Sequence, residues 1–219
     1  GLERIFITGV SPVALNDVTS GFNIARNITL DADFNELCGF REDEVATVLA
    51  QVGRICSFAP AQVEDAMTMM RTFYNGYRFA YEHPTLVYNP TLVLYFLQHL
   101  QEWCRYPRNM LDSNLAMDQQ KIAFIARMRH GEQVIADTLN EQKPLAIYSM
   151  AERFGVHDIL HGDKDDPFLA SLLYFFGVLT LDGYTPQGKQ LLPIPNMVVR
   201  SLYVERMRAI LLPTGTSNE

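Results

Sequence analysis

The sequence predicts a mainly helical α+β chain, on three observations. Apolar residues recur at a helix period through most of residues 41–103. A short run near the start is apolar on both parities, as in a strand buried on both faces. The last third reads helix, helix, strand, loop, strand. At 219 residues the chain can bury a sizeable core, as one large domain or two small ones. A hydrophobic content of 48%, with only 13 Gly and 11 Pro, excludes a disordered or fibrous chain. No window approaches 18 uncharged apolar residues, so no transmembrane helix is predicted. The best stretch, Pro167 to Leu181, is too short.

The elements follow in order. Arg4 to Val10, bounded by Gly9 and Pro12, is the both-face strand, and Ile24 to Leu30 reads as a second. Two strands do not make a parallel sheet, so the others are expected upstream. The start, Gly1-Leu2-Glu3-Arg4, has no initiating Met or signal-peptide pattern, which marks the chain as an excised piece of something longer. Val45, Val48, Leu49, Val52 and Ile55 define a helix over 41–56, with Glu42, Asp43 and Glu44 where its N-terminus favours anions. A second helix, Ala61 to Tyr74, turns inward Val63, Ala66, Met67, Met70 and Phe73. Asn75-Gly76 supplies a turn tolerant of positive φ, around which Tyr77-Arg78-Phe79 and Leu86-Val87-Tyr88 can pair. Asn89-Pro90 opens a third helix, with Leu92, Val93, Phe96, Leu97, Leu100 and Trp103 facing inward.

Arg105 to Asn114 lacks periodicity and is the best boundary. Helices are expected near Ala116 to Met128, Glu132 to Asn140 and Tyr148 to Phe154. The acidic loop Asp163-Lys164-Asp165-Asp166 then supplies the N-cap of a strongly apolar helix begun by Pro167 and ended by Gly177. Val178 to Leu181 and Gln190 to Ile194 read as two strands joined by a loop, and a last helix starts at Pro195-Asn196. Helix, helix, strand, loop, strand is a winged-helix pattern.

The charge balance, 18 Lys plus Arg against 25 Asp plus Glu, is mild evidence against a nucleic-acid binder. Cys38, Cys56 and Cys104, with no C-x-x-C, read as reduced, mostly buried thiols of a cytoplasmic protein. Phosphate-loop, dinucleotide, nucleophile-elbow and zincin motifs are all missing, so the chain cannot cradle a triphosphate by itself. His157 and His161 share a helix face, but the stretch ends at Gly162 without a third ligand. Surface histidines are the preferred reading, with no metal site and a stand-alone metal hydrolase a remote alternative. Thr8 and Ser11 close the first strand, where open α/β sheets bind ligands. Arg26, Arg71 and Arg78 are candidate phosphate-sensing arginines, Arg78 the most interesting because aromatic residues surround it. Arg200, Arg206 and Arg208 on the final helix carry the alternative reading, a winged-helix module binding DNA or, as the acidic balance favours, a protein.

Ile7-Thr8-Gly9-Val10-Ser11-Pro12-Val13, Thr19-Ser20-Gly21-Phe22-Asn23-Ile24-Ala25 and Phe34-Asn35-Glu36-Leu37-Cys38-Gly39-Phe40 resemble the AAA-ATPase-like domain family, commonly fused to a PD-(D/E)XK nuclease domain. The resemblance continues through Tyr74-Asn75-Gly76-Tyr77-Arg78-Phe79, Val87-Tyr88-Asn89-Pro90, Leu172-Leu173-Tyr174, Gly177-Val178-Leu179-Thr180 and Ile194-Pro195-Asn196. It implies a P-loop ATPase (an ATP hydrolase) whose Walker A and B segments precede Ile5 and are not in this chain. Residues 1–30 would then be the end of a P-loop-type α/β sheet, 31–110 a helical lid, and 111–219 a winged-helix-like region. ATP and Mg²⁺ would belong to the parent, with Thr8 or Ser11 at the sensor position. The resemblance matches no arginine to a finger or second sensor, so Arg78 is a hypothetical nucleotide sensor on its aromatic setting alone. The fragment would have no catalytic residue or cofactor of its own. Expected partners are the missing N-terminal ATPase half, a nuclease domain or another protein, and a second copy paired through an orphaned strand edge. Nucleic acid is not favoured, and no membrane is expected.

Overall fold

The computed structural model describes Phe6 and residues 26–110, 116–140, 144–151, 154 and 165–212. Among these are seven α-helices and a small antiparallel sheet. The helices are α1 (Glu42–Ile55), α2 (Pro60–Tyr74), α3 (Pro90–Trp103), α4 (Ala116–Ala126), α5 (Gly131–Thr138), α6 (Asp166–Phe175) and α7 (Met197–Leu211). The strands are β1 (Ala146–Ile147), β2 (Asp182–Tyr184) and β3 (Gln190–Leu191), in the order β1-β3-β2. The register sets Ile147 opposite Gln190 and Asp182 opposite Leu191. No helix among the described residues is long and apolar enough to cross a membrane.

Local stereochemistry places most helix ends. The side chain of Asn89 accepts a bond from the Leu92 amide, Asp165 from Phe168 and Asn196 from Val199, each satisfying a first-turn N–H that has no partner inside the helix. Pro90 and Pro167 stand in the first turn, where the missing N–H costs nothing. Gly177, at φ 75°, ends α6: its amide bonds to the Tyr174 carbonyl and that of Val178 to Leu173.

Two apolar clusters form the interior. The first gathers Val45, Leu49 and Val52 of α1, Ala66, Met67 and Met70 of α2 and Leu92, Phe96 and Leu100 of α3, and it also takes in Val198 of α7. The second gathers α4, α5, α6, the sheet and α7, and it takes in Tyr77 and Val87. These two residues pair with each other in one antiparallel bridge, as the sequence suggested. A second bridge joins Phe40 to Tyr88. Gly76 makes the turn at φ 111°, and a Cβ there would lie 1.9 Å from the Pro195 carbonyl oxygen, so only glycine fits.

Several expectations are corrected. The strand predicted over Ile24 to Leu30 is not formed in its described part: Arg26 to Leu30 is irregular and turning, with the Asn27 side chain accepting from both the amide and the hydroxyl of Thr29. Arg4 to Val10, apart from Phe6, lies outside the described residues. Val48 and Ile55 are exposed, because the buried stripe of α1 is the narrow line of Val45, Leu49 and Val52 and those two residues flank it. Trp103 is also exposed, its ring lying under the Arg105 guanidinium where the chain turns away at Cys104.

Tyr148 to Met150 is irregular where a helix was expected, and the pairing falls just before it, at Ala146–Ile147. The run Val178 to Leu181 is buried, with Val178, Leu179 and Leu181 in the second cluster, rather than laddered, so β2 lies one step later, on Asp182–Tyr184. The cysteines are not reduced, buried thiols. Cys56 and Cys104 form a disulfide with Cα atoms 5.2 Å apart, and Cys38 is free and exposed. The bridge joins residues 48 apart, a proximity that spacing does not disclose.

Candidate functional site

A dense polar junction among the described residues lies where residues 35 and 77–80 meet the segment leading into β2. Asn35 is 1% exposed, held beside a single 3-10 turn, Ala32–Phe34. Its Oδ1 accepts from the amides of Phe79 (2.9 Å) and Ala80 (3.1 Å), and its Nδ2 donates to the Thr85 carbonyl (3.1 Å). One carboxamide thus holds both sides of the loop that carries Arg78.

On the other side of that loop, the Arg78 amide donates to Thr180 Oγ1 at 2.7 Å. The Thr180 hydroxyl donates back to the Arg78 carbonyl at 3.2 Å, and the Tyr174 hydroxyl donates to the Phe79 carbonyl at 3.1 Å. The Arg78 side chain, mostly buried, donates from Nη1 to Asp182 Oδ1 at 2.9 Å. Its Nε is buried without a partner among the described residues. Burial raises the Tyr174 hydroxyl well above the ordinary tyrosine range, so it stays a neutral donor.

Asp182 also lines a cleft of about 290 Å³, together with Thr138, Asn140, Pro144, Leu191 and Arg200. The structure therefore brings Arg78, through Asp182, to the same cleft as Arg200. A shallower depression of about 640 Å³ lies along α4, lined by Lys121, Phe124, Arg127 and Phe176. Lys121 there donates to the Phe176 carbonyl at 3.1 Å, a cation placed at the C-terminal end of α6, where the helix dipole favours it.

The three candidate sensing arginines are all engaged with carboxylates. Arg26 pairs with Asp31, Arg71 with Glu42 at 2.6 Å, and Arg78 with Asp182. Glu42 is doubly held, since the Tyr88 hydroxyl donates to its other oxygen at 3.0 Å. The Arg71 hydrogen bond comes first in keeping the Glu42 carboxyl below its usual range. Thr8 and Ser11, and also His157 and His161, lie outside the described residues.

The final-helix arginines do not share a face. At 100° per residue, Arg206 stands about 120° to one side of Arg200 and Arg208 about 80° to the other. Arg208 is exposed, while Arg206 Nε is buried without a partner among the described residues. Helix α6 is buried at every position from Phe168 to Tyr174. Beside the sheet, just before β3, Lys189 lies over the Tyr148 ring, 4.7 Å from its centroid. Among the described residues no group of three or more His, Cys, Asp or Glu could hold a metal ion.

Sequence reasoning did not single out Asn35, Thr180 or Asp182, and it read Glu42 only as an anion at a helix N-terminus. Asn35 and Thr180 fall in segments quoted for the resemblance, but no local pattern distinguishes a buried Asn or Thr that bonds backbone from one in an ordinary turn. No protein-family model, curated protein or solved structure matches the chain.

Proposed function

We propose that this chain is the C-terminal part of an AAA-ATPase-like protein. Its helical lid and winged-helix-like region relay ATP hydrolysis in the parent to a nuclease domain or a protein partner, and it has no catalysis of its own. The observation that carries the reading is the Arg78 junction. It fastens the α1–α3 lid, through Asn35 and the Tyr77–Val87 bridge, to Thr180 and Asp182 of the sheet region, so a displacement of one is felt by the other. The winged-helix reading is supported by the strand order β1-β3-β2, with α5 before the sheet and α6 between β1 and β2.

The described residues do not fit ATP by themselves. Arg26, Arg71 and Arg78 are each paired with a carboxylate, and the chain has no phosphate loop. ATP and Mg²⁺ are therefore assigned to the parent's N-terminal half, with Thr8 and Ser11 as the residues of this chain proposed to approach them. Arg78 senses nucleotide only if Asp182 releases it. Titration of the purified chain with Mg·ATP is expected to give no binding heat, and tight magnesium-dependent binding would sink the proposal. Recovering the reading frame upstream of Leu2 supplies the complementary test: a strand followed by a phosphate loop sustains the reading, and an initiating Met there ends it.

The alternative, a winged-helix binding module, is favoured in its protein-binding form. The helix at the position that would enter a DNA groove is α6, whose sequence, Asp-Pro-Phe-Leu-Ala-Ser-Leu-Leu-Tyr-Phe, is buried from Phe168 to Tyr174 and carries no cation. DNA affinity that falls steeply with salt, and that is lost in Arg200, Arg206 and Arg208 variants, would restore the nucleic-acid form.

A further inference from the structure

The disulfide stands where two helices end together. Cys56 is the C-cap of α1 and Cys104 the C-cap of α3, and the Sγ of Cys56 lies 3.4 Å from the Leu100 carbonyl oxygen. Cys104 is exposed to solvent and Cys56 partly so. The backbone around the bridge is strained. Four non-glycine residues among those described have positive φ, and two of them are Cys104 itself (47°) and Ser57 (55°), which follows Cys56.

The helices beneath have apolar packing of their own: Leu49, Val52, Phe96 and Leu100 are buried in the first cluster. What the bridge fixes is the exit segment, Cys104 to Met110, through which the chain leaves that cluster. The segment also has contacts of its own: Pro107 is buried, Tyr106 stacks on Phe96, the Tyr74 hydroxyl donates to Met110 Sδ at 3.8 Å, and His99 Nδ1 lies 3.1 Å from the Arg105 carbonyl oxygen. Tyr106 packs edge-on to Phe58 and donates to the Gln62 carbonyl at 2.6 Å, and Asn109 accepts from the Tyr95 hydroxyl at 3.0 Å.

We infer that Cys56–Cys104 is a thiol-exchangeable clamp on this exit segment, opened by a small thiol or dithiol reductant while the helices stay folded. A thiolate of the reductant attacks the Sγ of Cys104, the exposed residue of the pair. The S–S bond breaks, its electron pair goes to Cys56 Sγ, and that sulfur takes a proton from solvent. A second reductant thiol then displaces Cys104 from the mixed disulfide. In sum the protein disulfide gains two electrons and two protons, and two thiols become one reductant disulfide. Exposed bridges are among those that exchange in this way, whereas a structural crosslink resists the cellular thiol pool.

The clamp is tested on the whole chain with reduced and oxidised glutathione as the probes. In buffer without glutathione the folded oxidised protein is expected to show one reactive thiol, Cys38, and after millimolar reduced glutathione, once the excess is removed, three, with helical circular dichroism unchanged. Tryptic cleavage after Arg105 and Arg108 should speed up on reduction and slow again on reoxidation. The single tryptophan, Trp103, which stands next to Cys104, should report the same change in its emission. Cys56→Ser should show the reduced cleavage pattern even in oxidising buffer, while Cys38→Ser should alter only the thiol count. Three thiols in oxidising buffer would mean that no bridge forms. A bridge that resists glutathione until helicity is lost, or helicity that disappears with the bridge, would make it a structural crosslink. Any of these results overturns the inference.

Discussion

Replacing Asn35 by alanine tests the junction where it is most buried. The substitution removes three hydrogen bonds and leaves the amides of Phe79 and Ala80 and the Thr85 carbonyl without their partner, in a place where Asn35 is 1% exposed and Ala80 fully buried. With each bond contributing about 1 kcal/mol net, the expected loss is about 3 kcal/mol. At a urea slope of about 2 kcal/mol per M this lowers the unfolding midpoint by about 1.5 M. Asn35→Asp refines the test, because a carboxylate can accept from both amides but cannot donate to Thr85. Burial raises the new carboxyl's folded pKa above its unfolded value. The variant's deficit relative to the parent should therefore be largest at neutral pH and shrink as pH falls and the protonated acid regains a donor. Parallel urea titrations at pH 7 and pH 4 read both effects. A midpoint shift for Asn35→Ala worth less than about 0.5 kcal/mol, which is the range of an ordinary surface substitution, would refute the reasoning. So would an Asn35→Asp deficit that does not change with pH.

Three further outcomes follow from the same geometry. A double-mutant cycle on Arg78→Ala and Asp182→Ala should show coupling of about 1 kcal/mol, modest because Asp182 is largely solvated, and additive losses would dissolve the pair. Glu42 has its carboxyl pKa lowered by Arg71, so its contribution is present above the ordinary glutamate value and lost as pH falls through the folded one. Glu42→Gln should accordingly flatten the acid side of a Tm-versus-pH curve, and an unchanged curve would dismiss that role. Tyr74, Tyr88, Tyr174 and Tyr203 have pKa values pushed up chiefly by burial. The stability that this gives is whole below pH 10 and is lost as pH rises beyond it. Their tyrosinate absorbance should therefore appear together with loss of helical circular dichroism, and independent titration of these rings in the folded protein would contradict their burial.

What could be read from the sequence had short range. Asn89, Asp165 and Asn196 announce helix starts, and Gly177 a helix end, because a cap is satisfied within about four residues. The Tyr77–Val87 pairing was legible for a similar reason, since Asn75-Gly76 sets the turn just before it. Arg78 and Asp182 are 104 positions apart and Asn35 and Thr85 are 50 apart, and no period links them. The apolar pattern also overreached. It marked Val48, Ile55 and Trp103 as inward because hydrophobicity shows which residues can be buried, not how wide a stripe the neighbouring helices cover. The sheet slipped for the opposite reason, as Val178 to Leu181 look like a strand but sit in the interior, where packing rather than pairing uses their apolar surface.

Val198 has a consequence for the order of events during synthesis. It belongs to the cluster otherwise built from residues 45–100, yet it is made about a hundred residues after Leu100. At roughly 5–20 residues per second, the seat it fills stays open for roughly 5–20 s while the ribosome finishes the chain. The growing N-terminal segment thus passes through an interval with apolar surface uncovered, during which a chaperone can engage it and a mistaken contact can form. A chain cut between the two clusters never leaves that interval.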